Sequence, residues 1–284
     1  MIYFITQTLN GLFSAALLFL IAGGLTLVFG VMRIVNIAHG SFYMLGVYVA
    51  WTIIARTGSL LLGALAAVLV VGTAGFGVER LFLRRFASEP LAQMMMTMGF
   101  ALLFRDIAFV IWGGDPFTLP YPPPLRGSME VGEIVFPIYR LFVILVAALV
   151  GLGLWLLNEK TLVGARLRAA VDDPEMAAGT GTNVALLSGL VFGAGAGLAA
   201  FGGVMGGPIL GGYPGMDFDL LPLAFVVVII GGMGSLKGAL IGSIVVGLID
   251  NFGKALVPEL SYFTLFAPMV VVLAFKPTGL YGRA

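Results

Sequence analysis

Residues 158–180 read NEKTLVGARLRAAVDDPEMAAGT, a compact polar island between two strongly apolar stretches. Asp172 and Asp173 precede Pro174 and Glu175, which is the start signal of a short helix. An acidic cap accepts the first free N–H groups, proline suits the first turn, and a carboxylate sits near the positive end of the helix dipole. Gly179 and Gly181 supply the stop. Two readings are open: a solvated loop, or a short coupling helix shaped to seat in a partner, since a chain immersed in lipid rarely exposes a capped, charged helix with nothing to dock it.

Outside the island the chain is built for lipid. Of 284 residues, 60% are hydrophobic and 10% are charged, and the mean hydropathy is +1.08. Soluble domains carry about 25% charged residues, so this is a polytopic membrane protein with little left for a soluble domain. A net charge of +1 gives no basic footprint for nucleic acid. With no cysteine there is no disulfide, thiolate nucleophile or cysteine metal site. No Lys or Arg precedes Arg33, and the first apolar stretch is about 25 residues, so it reads as a span rather than a cleavable signal.

Apolar stretches cover 5–29, 41–54, 60–78, 91–112, 141–157, 184–205, 220–230, 239–249 and 263–275. Some fall well short of the roughly 20 residues a clean span needs, which predicts an all-α bundle of eight or nine crossings with broken or re-entrant segments. The whole chain, 1–284, reads as one transmembrane domain. Arg80, Arg84 and Arg85 share one loop, Lys160, Arg166 and Arg168 lie in the island, and Lys276 and Arg283 in the tail. By the positive-inside rule these face the cytoplasm. The loop 113–140, with its YPPPL, and the loop 208–219, with GGYPGMDFD and no Lys or Arg, face out. Nine crossings place the N-terminus outside; one re-entrant stretch would put it inside.

The 41 glycines are patterned. Gly189, Gly193 and Gly197 recur every four residues, as do Gly203, Gly207 and Gly211, and later Gly238 and Gly242. Small residues at this spacing let helices approach closely where lipid supplies no hydrophobic drive. The same faces leave helices free to slide.

Two polar, glycine-marked breaks stand out, Arg33–Ser41 with Asn36, His39 and Ser41, and 231–238 with Ser235 and Lys237. Interrupted hydrophobic segments in the two halves of a chain point to a transport path. The alternative is a pair of tight cytoplasmic turns, with Asn36 and Ser41 as caps. His39, the single histidine, reads as a hydrogen-bonded structural residue, because metal sites need three or four ligands. No metalloprotease, nucleophile-elbow or phosphate-loop motif is present, so the chain itself has no apparatus for ATP hydrolysis. Arg105 and Asp106 are adjacent within the fourth stretch and point about 100° apart on a helix, so they pair poorly. Asp250 and Lys254 can pair on one face beside Asn251; they read either as an interfacial ion pair or as part of an ion relay.

Quoted together, GLTLVFGVMRIVNIAHGSFYMLGVYVA (24–50), LVGARLRAAVDDPEMAAGTGTNV (162–184), IIGGMGSLKGALIGSIVVGLID (229–250) and KPTGLYGR (276–283) resemble one family. They are similar to the LivH-type permease of branched-chain amino acid ABC importers, collinearly from about residue 10 to the C-terminus. The resemblance implies a multi-pass inner-membrane subunit surrounded by lipid, paired with a LivM-like second permease and served by two cytoplasmic ATPases and a periplasmic solute-binding protein. No cofactor is implied for this chain, ATP and Mg being bound by the ATPases. It implies ATPase contact through Arg166, Arg168, Asp172, Asp173, Glu175 and Met176 in the segment 158–183. It places Asn36, His39 and Ser41 near the pathway, where Ser235, Asp250 and Asn251 are further candidates. Some relatives carry an acid where Ser41 stands. The competing readings are a urea or short-amide permease on the same scaffold, or an ion-coupled secondary transporter.

Overall fold

The computed structural model describes residues 1–282. The chain runs α1 (Ile2–Met32), α2 (His39–Thr57), α3 (Leu60–Leu81), α4 (Pro90–Trp112), β1 (Ser128–Val131), β2 (Ile134–Pro137) and α5 (Ile138–Lys160). It continues through two short helices, α6 (Leu162–Asp172) and α7 (Pro174–Gly179), to α8 (Val184–Leu210), α9 (Met216–Gly231), α10 (Leu236–Leu256) and α11 (Ser261–Phe275). Among the described residues, nine of these helices form the bundle and α6 and α7 form the island. Six of the nine, α1, α3, α4, α5, α8 and α10, are long and apolar enough to cross a membrane. The shortest are α9 and α11, with 16 and 15 residues.

Glycine contacts fix the direction of the helices. Gly195 packs on Gly24 and Gly202 on Leu20, so α8 runs antiparallel to α1. Gly193 meets Gly72 and Gly189 meets the Glu79 side chain, so α3 also opposes α8. Gly247 lies against Ala15, and the Tyr3 hydroxyl donates to the Ala255 carbonyl, so α10 opposes α1. The glycine stripes therefore serve close packing: a Cβ on Gly193 would stand 2.8 Å from the Gly72 carbonyl oxygen, closer than any side chain tolerates.

These directions bring Arg33, Arg80, Arg84, Arg85, Lys160, Arg166, Arg168, Lys237 and Lys276 to one end of the bundle, with Arg56, Arg126, Arg140 and Lys254 toward the other. The first end is the cytoplasmic one by the positive-inside rule. The N-terminus and the 113–137 loop lie at the opposite end; Arg283 is outside the described residues.

The structure adds two details to the sequence reading and corrects it once. The outer loop carries a two-stranded antiparallel hairpin, β1 on β2, turned at Gly132 with φ 62°. α5 stays helical through Lys160, so the segment 158–183 opens on the last turn of that helix. The segment 208–219 does not all face out. Gly212 pairs with Phe117 at the outer end, whereas 216–219 form the first turn of α9, where Asp217 is only 2% exposed.

Candidate functional site

The link from α1 to α2 folds back into the bundle. Arg33 caps α1 in the left-handed region, φ 54°, and the chain turns there. Above it, His39 Nε2 donates to the Ile21 carbonyl at 2.9 Å. Ile21 lies about 16 Å from the end of α1 at 1.5 Å per residue, so α2 starts at mid-depth. Thr97 of α4 pins the returning segment: its hydroxyl accepts from the Ile37 N–H at 3.2 Å and lies 3.4 Å from the Val35 carbonyl.

The link from α8 to α9 makes the complementary move from the outer end. Gly212 and Phe117 exchange backbone hydrogen bonds of 2.7 and 3.0 Å. Gly215, with φ 103°, then turns the chain inward. Tyr213 donates to Asp219 Oδ2 at 2.7 Å, and that bond, with burial, pushes the Tyr213 phenol up to about 12. The phenol therefore stays a neutral donor and fastens the first turn of α9 to its loop.

The two part-length helices meet by their N-termini. Ser41 Oγ donates to Asp217 Oδ2 at 2.7 Å, and a Cβ on Gly40 would run into the Asp217 carbonyl oxygen. From this junction α2 runs outward and α9 inward. Each N-terminus carries a partial positive charge, which the Asp217 carboxylate offsets. Discontinuous helices meeting at the midplane are the arrangement transporters use to leave polar backbone at depth.

Asn36, His39 and Ser41 thus come together, all of them fully buried. The option that Asn36 and Ser41 act as caps fails: α2 has no side-chain cap, and Ser41 is spent on Asp217. The Asn36 amide oxygen and nitrogen, His39 Nδ1 and Asp217 Oδ1 have no hydrogen-bond partner among the described residues. Unpartnered buried polar atoms are rare in folded proteins, and four of them gather at this junction.

The other pathway candidates lie elsewhere. Ser235 caps α10 at the cytoplasmic end, accepting from the Gly238 N–H at 3.1 Å. There 231–238 is a tight turn covered by the tail, with Tyr281 N–H donating to Gly231 O at 2.9 Å. Asp250 accepts from Lys254 Nζ at 2.7 Å near the outer end of α10, the pairing expected from their spacing, with Asn251 beside it. Asp217 and Thr97 complete the junction and were missed; an acid directly after a glycine-rich loop was the available signal for Asp217.

The island is folded as its sequence indicates. Asp173 Oδ1 accepts from the Met176 N–H at 2.9 Å, and Thr161 caps α6 by accepting from Gly164 N–H at 3.1 Å. Arg168 bends back to the Asn158 carbonyl. Leu167, Ala170 and Ala177 face inward. Arg166, Asp172, Glu175 and Met176 are exposed, Met176 by 66%, and so are Leu162 and Val163, by 78% and 53%. These large apolar side chains, exposed beyond the lipid-facing helices, form an apolar patch at the cytoplasmic end of the bundle. Leu162 and Val163 were not singled out by the sequence, although apolar neighbours in a polar island were a visible cue.

A bundle with two helices starting at mid-depth has the discontinuous build that membrane transport paths use. Residues 7–273 match the family described as branched-chain amino acid transport system / permease component. The chain belongs to that family. It is 30% identical to the high-affinity branched-chain amino acid transport system permease protein BraD of Pseudomonas aeruginosa, over 99% of this chain and 96% of that one. The permease protein LivH of Escherichia coli K12 matches at the same identity and coverage, 30%, 99% and 96%. Among solved structures, a chain of PsaBC from Streptococcus pneumoniae in complex with Fab has a TM-score of 0.50 at 14% identity, covering 96% of this chain and 92% of that one, which bears on the fold alone. The protein is a multi-pass inner-membrane permease, a membrane subunit of an ABC importer, and permeases of this kind work with ATPase and solute-binding partners.

Proposed function

We propose that this permease, beside a LivM-like second permease, forms the path for branched-chain amino acids delivered by an external binding protein and driven by two cytoplasmic ATPases. The observation that carries the coupling part is the exposed patch of Leu162, Val163, Arg166, Glu175 and Met176 on a capped helix pair at the cytoplasmic end. Asp173 and Arg168 support the patch from within, one as cap and one as staple, and Arg166, Asp172, Glu175 and Met176 meet the ATPase.

The island is mechanically connected to the junction. α6 packs on α5 and on α1, and α1 carries the Ile21 carbonyl that holds His39. ATPase closure presses on α6 and α7, α1 shifts, and the meeting point of α2 and α9 changes. Packed helices have discrete arrangements, so this push switches the path between outward and inward openings. Selectivity rests mainly with the binding protein.

The test replaces Glu175 and Met176 by Lys in the assembled importer. Substrate-stimulated ATP hydrolysis is expected to fall about tenfold, the scale of removing an interface anchor, with membrane insertion unchanged. Undiminished coupling in that variant defeats the docking assignment.

A further inference from the structure

Arg105 and Asp106 have no place in the coupling account, yet they are charged residues inside α4. Arg105 lies about 10 Å from the outer end of its helix, counted at 1.5 Å per residue to Trp112. The side chains are 37% and 75% exposed, and they pair only at 3.9 Å. Charges at such depth face a partner or a water-filled path rather than hydrocarbon. The Arg105 guanidinium stands 5.7 Å over the Phe218 ring, and Phe218 directly follows the junction acid Asp217.

Phe218 also lines a groove of about 450 Å³ between α4, α9 and α11, walled by Ile37, Met98, Leu221, Phe225 and Phe266. Pro222 is part of the same wall. Having no N–H, it leaves the Phe218 carbonyl without its helical donor. The groove is thus apolar, a guanidinium stands over the ring of one of its wall residues, and the Phe218 carbonyl lacks its i+4 donor. Those are complements for an aliphatic side chain, a carboxylate and an ammonium.

We propose that this groove is the intramembrane seat of a free α-amino acid with a branched aliphatic side chain, its carboxylate held by Arg105. The side chain lies among Met98, Leu221 and Phe225, and the ammonium faces the Phe218 carbonyl. This deepens the proposed function and rests on it. A second permease covering the α4 face closes the seat from lipid.

The test uses photo-leucine, whose diazirine sits in the aliphatic side chain, with the complete importer in proteoliposomes. Irradiation during turnover, followed by peptide mass spectrometry, is expected to place the label on Ile37, Met98, Leu221 or Phe225, with excess leucine competing it away. Arg105→Gln is expected to cut that labelling about tenfold, the scale of losing a charge-assisted bond, and Arg105→Lys to retain part of it. Label on other residues, or label that leucine does not compete, overturns the seat even if Arg105→Gln fails to fold, because the wild type gives that result. Label of equal strength in a folded Arg105→Gln overturns the role of Arg105. If the wild-type importer moves neither leucine nor photo-leucine, the importer reading fails and the seat with it. Import with label outside the groove sinks the seat alone.

Discussion

The two glycine-marked breaks look alike in sequence and differ in what covers them. At 33–41 the chain re-enters the bundle and buries Asn36, His39 and Ser41 completely. At 231–238 it makes a cytoplasmic turn with Ser235 as an ordinary cap. Glycine spacing alone does not separate a path from a turn. The difference is the partner: Arg33–Ser41 is met by Asp217, brought inward by a second re-entry at 211–217, whereas 231–238 is met by the C-terminal tail.

Substitutions sharpen this contrast. Gly40→Val drives a side chain into the Asp217 carbonyl and should cost about 3 kcal/mol, with loss of uptake; a melting curve and an uptake assay near wild type would break the mid-depth junction. Ser41→Ala leaves Asp217 Oδ2 without its donor, and a cost of roughly 2 kcal/mol with reduced uptake is expected. At the other break, Ser235→Ala removes one cap, about 1 kcal/mol, with uptake retained, and a transport defect larger than the stability loss would return that turn to the pathway. Smallest of all is Lys254→Gln. An i,i+4 helix pair whose lysine is exposed contributes about 0.3–0.5 kcal/mol, so stability and transport should hardly move, and abolished transport would favour the relay reading.

Much of this was legible in the chain. The Asp173–Pro174 start of α7 is a local signal, because a cap and its acceptor lie three residues apart. The charged ends were legible because the positive-inside bias is a property of single loops, and the glycine stripes because close packing needs small residues at fixed spacing. The junction was not. GGYPGMDFD has the composition of a surface turn, and Asp217 is buried against Gly40 and Ser41, which lie far away in sequence. Likewise Arg105 and Asp106 read as a poor pair; their setting depends on Phe218 and on the groove between helices from both halves of the chain. The hairpin after the prolines was hidden in a loop judged by its charge rather than by the alternation of its residues.

The most direct test of the account is leucine uptake by proteoliposomes containing this permease, its co-purified partners and the external binding protein. Uptake that requires internal ATP and the binding protein, and persists when ion gradients are collapsed, is the predicted result. Uptake by the chain without ATPases, driven by an ion gradient alone, would contradict it.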